Sequence, residues 1–123
     1  MKFESLVPIL WTDDLAGTIA FYSDKLSFTC VEYNENWGWA SLHRDSCEIM
    51  FATPNSHTSF DKSTFTGSFY IRVDDVELLW NQLKDTVTVV YDLETFDWGM
   101  KEFAIYDLNG YMLQIGQEIL TDE

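Results

Sequence analysis

The sequence predicts an α+β fold: two tandem βαβββ modules whose curved mixed sheets surround a cleft. Three observations predict it. Aspartate pairs suited to helix N-caps, Asp13-Asp14 and Asp74-Asp75, recur about 60 residues apart. Each pair sits between a short apolar strand and a run of apolar residues at helical spacing. Each half then continues through three further strand-like segments, the last two joined by turn residues. A βαβββ unit covers one sheet face with its own helix and leaves the other bare, so a second copy supplies the missing partner.

In chain order, residues 6–11 read as an apolar strand, with Pro8 at an edge or an irregular start. Asp13 or Asp14 caps a helix whose stripe is Leu15, Ile19, Tyr22 and Leu26. Strands follow at about 28–33, 37–43 and 47–52, with turns at Asn34-Glu35-Asn36 and Arg44-Asp45-Ser46. The polar stretch from Thr53 to Gly67 separates the halves. Module one therefore spans about 1–53, the connector about 54–67 and module two about 68–118, all within one domain of 123 residues. Ser68–Val73 alternates strictly and reads as a half-buried strand. Asp74 or Asp75 caps a second helix with Val76, Leu79, Trp80 and Leu83 on one stripe, which places Trp80 in the core. Thr86–Tyr91, Met100–Tyr106 and Tyr111–Ile115 complete the second set of strands, with Asn109-Gly110 as the last hairpin turn.

Charge narrows the partners. Seven basic residues against 21 acidic ones leave a net charge of −14. A phosphate backbone or an anionic lipid surface would be repelled, so neither nucleic acid nor membrane is expected as a partner. Cations, and ligands with cationic arms, are attracted. No stretch approaches the roughly 20 apolar residues of a membrane span, and residues 6–11 are too short for a signal sequence. Cys30 and Cys47 lack a ligand-type spacing and read as idle thiols of a cytoplasmic protein.

Two segments carry a family likeness: Val7-Pro8-Ile9-Leu10, Asp14-Leu15, Phe21-Tyr22 and Leu26-Ser27-Phe28 near the start, and Lys101 to Gly110 near the end. In these the chain resembles the vicinal-oxygen-chelate superfamily, which groups glyoxalase I, extradiol dioxygenases, fosfomycin resistance enzymes and bleomycin resistance proteins. It departs from the pattern at Ser27, where Gly is usual, and at Leu108, where Pro is usual. Metal-using members of that group place four His, Gln or Glu ligands on the cleft face of particular strands. The resemblance puts those positions at Val7, Ile49, Ser68 and Gln114, with a one-residue register shift bringing Glu48 to the second. Val and Ile offer no lone pair and a neutral Ser is a poor donor, so no metal and no other cofactor is expected. His43, near a turn, and His57, in the connector, fall at no ligand position and read as surface residues. Among metal-free relatives the bleomycin resistance proteins are most similar, being short, acidic, dimeric proteins that sequester a bulky cationic, aromatic antibiotic unchanged.

Strand parity then assigns the residues facing the cleft. Ser68, Tyr70 and Arg72 lie opposite the apolar set Phe69, Ile71 and Val73; Met112 and Gln114 lie opposite Leu113 and Ile115; Glu102, Ala104 and Tyr106 lie opposite Phe103 and Ile105. Val7, Ile9 and Trp11 share one face, and Trp37, Trp39 and Ser41 share another. Trp37, Trp39 and Trp98 are the candidates for stacking on a planar ligand, and Glu102 is a partner for a cationic group. An inward Arg72 either binds a ligand carboxylate or neutralises Glu102. Trp98-Gly99-Met100 reads as a movable loop over the cleft. No GxSxG, P-loop or GxGxxG motif is present. The expected protein is a cytoplasmic homodimer holding a small aromatic or cationic molecule, and not an enzyme; the alternative is a divergent metal-dependent lyase or dioxygenase using Glu48 and Gln114.

Overall fold

Asp14 opens the first helix by accepting the Gly17 N–H at 2.9 Å on its carboxylate, which satisfies one of the donors a helix start leaves unpaired. Asp75 does the same for the second helix, accepting the Leu78 N–H at 3.1 Å. The computed structural model describes residues 1–54, 60 and 62–119. It divides into two units, Met1–Ser63 and Thr64–Glu123. His57 lies outside the described residues.

The first unit contains β1 (Ile9–Trp11), α1 (Leu15–Leu26), β2 (Thr29–Asn34), β3 (Trp39–Arg44) and β4 (Cys47–Ala52). Its sheet runs β1-β4-β3-β2, with β1 parallel to β4 and the other pairs antiparallel. β1 is shorter than the apolar run 6–11 because Pro8 has no N–H to give; its carbonyl accepts the Met50 N–H at 2.9 Å and the ladder starts after it. Leu15, Tyr22 and Leu26 are buried with Phe28, Ala40, Leu42, Ile49 and Phe51. The Tyr22 ring meets Phe28 edge-on at 5.5 Å and Phe51 at 5.1 Å, so these side chains define the helix-facing side. Thr18, not Ile19, takes the fully buried place on the stripe. Its hydroxyl donates to the Asp14 carbonyl at 2.7 Å and lies 2.9 Å from the Thr12 hydroxyl, so a polar group is buried with its bonds made. α1 ends at Ser27 in the left-handed region, φ 57°, which is why glycine is the favoured residue there.

The second unit contains β5 (Phe69–Arg72), α2 (Val76–Leu83), β6 (Thr88–Thr95), β7 (Met100–Tyr106) and β8 (Met112–Glu118), in the sheet order β5-β8-β7-β6 with β5 parallel to β8. Val76 and Leu83 are buried with Phe103, Ile105, Leu113 and Ile115, and Trp80 packs on Phe103 at 5.0 Å. β6 starts at Thr88, not Thr86, because the Thr86 N–H and hydroxyl both donate to the Leu83 carbonyl, at 2.8 and 3.2 Å, and finish the helix. β8 runs past Ile115: Gly116 pairs with both Arg72 and Glu102, and Gln117 pairs with Lys101. The Gln117 amide also binds the α2 start, accepting the Val76 N–H at 3.0 Å and donating to the Asp74 carbonyl at 2.8 Å. The β7–β8 turn tolerates Leu108 because Asp107 itself holds it, its carboxylate accepting the Asn109 and Tyr111 N–H groups at 2.8 and 2.9 Å.

The two ladders match in detail. Ile9 pairs with Met50 as Tyr70 pairs with Gln114, and each outer hairpin carries an irregularity at the same point, Cys30/Glu32 and Val89/Tyr91. Both units are βαβββ modules.

Candidate functional site

On module two, the sheet face away from α2 collects Tyr70, Arg72, Glu102 and Gln114, as alternation predicts, with Ser68 just ahead of β5. Ser68, Gln114 and Tyr91 form a hydrogen-bonded chain on it. The Ser68 hydroxyl donates to Gln114 Oε1. Gln114 Nε2 donates to the Tyr91 hydroxyl at 2.9 Å. Successive bonds of one sense polarise each other toward the Tyr91 hydroxyl. The Tyr70 hydroxyl lies over Gly116 beside Glu102, and the charge of Glu102 acts on both the Tyr70 and the Tyr91 hydroxyl.

Glu102 is the most unusual member. It is only 2% exposed, and its Oε2 is buried without a hydrogen-bond partner. Among the described residues no ion pair reaches it: the pairs are His43–Glu48, Arg44–Asp45 and Lys101–Glu77. Arg72 does not neutralise it, although both residues sit opposite Gly116 on either side of β8. A buried carboxylate with an open acceptor is costly unless something else occupies it. The surroundings register its charge. Burial pushes the Tyr70 hydroxyl well above the usual phenol range, and the hydrogen bond and charge of Glu102 push it further. Burial also raises Tyr91, with the Gln114 amide acting against the shift.

Gly116 makes this packing feasible. A Cβ there would lie 2.0 Å from the Tyr70 hydroxyl oxygen, 2.8 Å from its Cζ and 3.2 Å from Glu102 Cβ. Tyr70 thus lays its hydroxyl over bare backbone beside Glu102 while 41% of the residue stays exposed. From Tyr91 a file of rings leads outward: Phe96 meets it edge-on at 5.7 Å, and Trp98 stacks on Phe96 at 4.6 Å with planes 13° apart. Trp98 is 65% exposed. Tyr91 and Phe96 were absent from the sequence-derived site. Tyr91 reaches this face only because the β6–β7 register shifts between Val89 and Tyr91, which simple alternation does not anticipate.

Met100 and Met112 share the register parity of Glu102 and Gln114 and so lie on the same face. Met100 opens β7 opposite Glu118 and Met112 opens β8 opposite Tyr106, both half-buried. Trp39 lies in β3, half-buried, with the parity of Ser41. Trp37 does not join it on a strand face. It sits in the preceding turn, 78% exposed, its N–H donating to the Asn34 side chain at 3.0 Å, and Gly38 at φ 62° turns the chain before β3 begins.

Module one corrects two further expectations. His43 is not a free surface histidine: its Nε2 lies 3.0 Å from the Ser41 hydroxyl and 3.2 Å from Glu48 Oε2, and Ser41 donates to that same oxygen at 2.8 Å. The i, i+2 spacing of Ser41 and His43 on one strand was the available signal. Ile49 does not occupy a corner of the helix-free face. It is buried on the Phe51 side, and the bond from Ser41 to Glu48 fixes Glu48 on the other. By ladder register the counterpart of Gln114 is Met50. The positions that would supply a metal's donors therefore carry Val7, Met50, Ser68 and Gln114, and the Gln114 oxygen is already engaged by Ser68. One thioether, one hydroxyl and one engaged amide do not fit a divalent first-row ion. Among the described residues no three His, Cys, Asp or Glu side chains group as a metal site.

Two tandem βαβββ modules, the second with a polar and aromatic helix-free face, define the fold and the candidate site. The profile of the Glyoxalase/Bleomycin resistance protein/Dioxygenase superfamily matches residues 4–115, and the chain belongs to that family. Among solved structures it is similar to a bleomycin resistance determinant encoded on the transposon Tn5, at 25% identity, with 96% of this chain and 100% of that one covered and a TM-score of 0.77. It is also similar to a bleomycin-binding protein complexed with bleomycin, at 25% identity, 94% and 99% coverage and a TM-score of 0.71. A protein of unknown function from Agrobacterium tumefaciens str. C58 shares the fold at 19% identity, with 97% of each chain covered and a TM-score of 0.80. No curated protein matches the chain. No helix among the described residues is long and apolar enough to cross a membrane.

Proposed function

We propose that the chain is a carrier that holds a planar aromatic, cationic small molecule against the helix-free face of module two without transforming it, in the manner of an antibiotic-sequestering protein. The observation that carries this reading is the composition of that face: a file of aromatic rings, Tyr91, Phe96 and the exposed Trp98, runs from a hydrogen-bonded polar cluster to solvent. Rings and a few oriented polar tips are what a flat ligand requires. The similarity to a bleomycin-binding protein supports the same reading. The carrier acts as a cytoplasmic homodimer, and the net charge of −14 draws its ligand in.

Bleomycin is the first probe. Titrating it into the protein should quench tryptophan emission with a saturable curve, weakened at least tenfold by Trp98→Ala, and mass spectrometry should recover it unchanged. No quenching by bleomycin or by simple aromatic cations, or conversion of the probe to a product, would refute the carrier reading. Light scattering on a sizing column tests the dimer.

A further inference from the structure

We propose that Glu102 is the recognition point for a primary ammonium group, so that the ligand of this face is an arylalkylamine. The inference rests on the carrier reading above and adds the chemical group that the polar cluster selects. Glu102 is almost fully buried, and its Oε2 has no hydrogen-bond partner. Beside it, Ser68 is bonded to Gln114 and Gln114 to Tyr91, and the Tyr70 hydroxyl lies over Gly116 next to Glu102. One acceptor is thus left over, and it belongs to a group whose charge needs a counterion.

The geometry discriminates among cations. A divalent metal asks for three or four good donors, and here one carboxylate oxygen stands among phenol hydroxyls. A guanidinium engages carboxylates through two parallel bonds and wants both oxygens open. Of the two carboxylate oxygens Oε2 is the buried one without a partner, and a single open oxygen suits a compact ammonium. Such a group can donate to Oε2 and to the phenol oxygens, and the neighbouring rings favour a cation further. Arg72, across Gly116 from Glu102, makes no ion pair with it, so an incoming ammonium displaces no internal cation. Tyr70 lies beside Glu102 over Gly116 and is 41% exposed, so an outward swing of its side chain would admit the ammonium. The file Tyr91–Phe96–Trp98 starts beside this point, so an aryl group attached to the amine has a surface to lie on.

The test uses calorimetric titration of the full chain with three probes of one shape: 1-naphthylmethylammonium, 1-naphthylmethanol and 1-naphthylmethylguanidinium. At physiological salt the ammonium should bind roughly tenfold or more tighter than the alcohol, the ratio expected of one hydrogen bond to a charged group, and tighter than the guanidinium. In Glu102→Gln the ammonium should fall to within about twofold of the alcohol, whose own affinity stays put. Equal affinities in the unaltered chain overturn the ammonium assignment and leave the carrier reading intact. Binding of none of the three overturns both. A preference that survives Glu102→Gln reports only the general negative charge and also overturns the assignment. Near-UV circular dichroism checks that the variant folds; if it does not, the order of the three probes on the unaltered chain decides.

Discussion

Gly116→Ala offers the sharpest test of how the polar cluster is built. The added methyl would stand 2.0 Å from the Tyr70 hydroxyl oxygen and 2.8 Å from its Cζ, against an ordinary contact near 3.5 Å. The hydroxyl must therefore retreat by about 1.5 Å, which takes it away from its place beside Glu102. Tyr70 is 41% exposed and free to swing outward, so the loss of stability should stay near 1–2 kcal/mol, toward the low end for overpacking. Tyr70→Ala removes both close atoms, after which the nearest of the three contacts is Glu102 Cβ at 3.2 Å. In that background Gly116→Ala should be neutral or slightly stabilising, since Ala is the stiffer residue in the unfolded chain. Urea unfolding of the two single variants and the double variant closes the cycle, with a coupling of about 1 kcal/mol expected. Gly116→Ala should also erase the preference for the naphthylmethylammonium probe. An equal cost in both backgrounds, or an unchanged preference, would refute the placement of Tyr70.

Four other outcomes are expected. Ser27→Gly should raise stability by about 0.5–1 kcal/mol in urea melts, because Ser27 holds φ 57° and relief of that strain outweighs the added freedom of the unfolded chain. Asp107→Ala should lower stability by about 1–2 kcal/mol, since its carboxylate accepts two backbone N–H groups of the last turn. Glu102→Gln should stabilise the ligand-free chain by about 1–2 kcal/mol, because it removes a buried charge with an open acceptor; a fall in the urea midpoint would count against the buried charge. In an alkaline tyrosinate titration Tyr70 and Tyr91 should ionise later than a free phenol, because burial first, and then the neighbouring Glu102, shifts them upward, with the Gln114 amide opposing the shift at Tyr91. The folded chain holds these phenols neutral where the unfolded chain releases their protons. Their contribution to stability is complete below the free phenol value near pH 10 and is lost as pH rises through the folded values.

The order of elements was legible because it rests on local signals: Asp14 and Asp75 cap their helices, and alternation placed Tyr70, Glu102 and Gln114 on one face. What escaped depends on distant partners. Nothing near Glu102 in the chain announces that its charge goes unpaired, because that depends on Arg72 and the tyrosines of two other strands. Trp37 was misplaced because a strand-like W-x-W spacing hides a turn that only the positive φ of Gly38 reveals. The Ile49 position slipped because a one-residue error in a period-two element swaps faces, and only the bond from Ser41 to Glu48 fixes the phase.

The irregularity between Val89 and Tyr91 bears on how such a scaffold changes its contents. With an unbroken ladder after Val89↔Ile105, Tyr91 would meet Phe103 and turn toward the core; with the extra residue it meets Ala104 instead. The other module carries the same offset between Cys30 and Glu32, which brings Glu32 opposite Ser41. Gaining or losing one residue in an outer strand therefore redirects the stretch beyond it from oil to water, or back, until a second irregularity, as between Tyr91 and Glu94, restores the phase. A repertoire of binding surfaces can arise in this way by insertion and deletion, without any substitution in the hydrophobic interior.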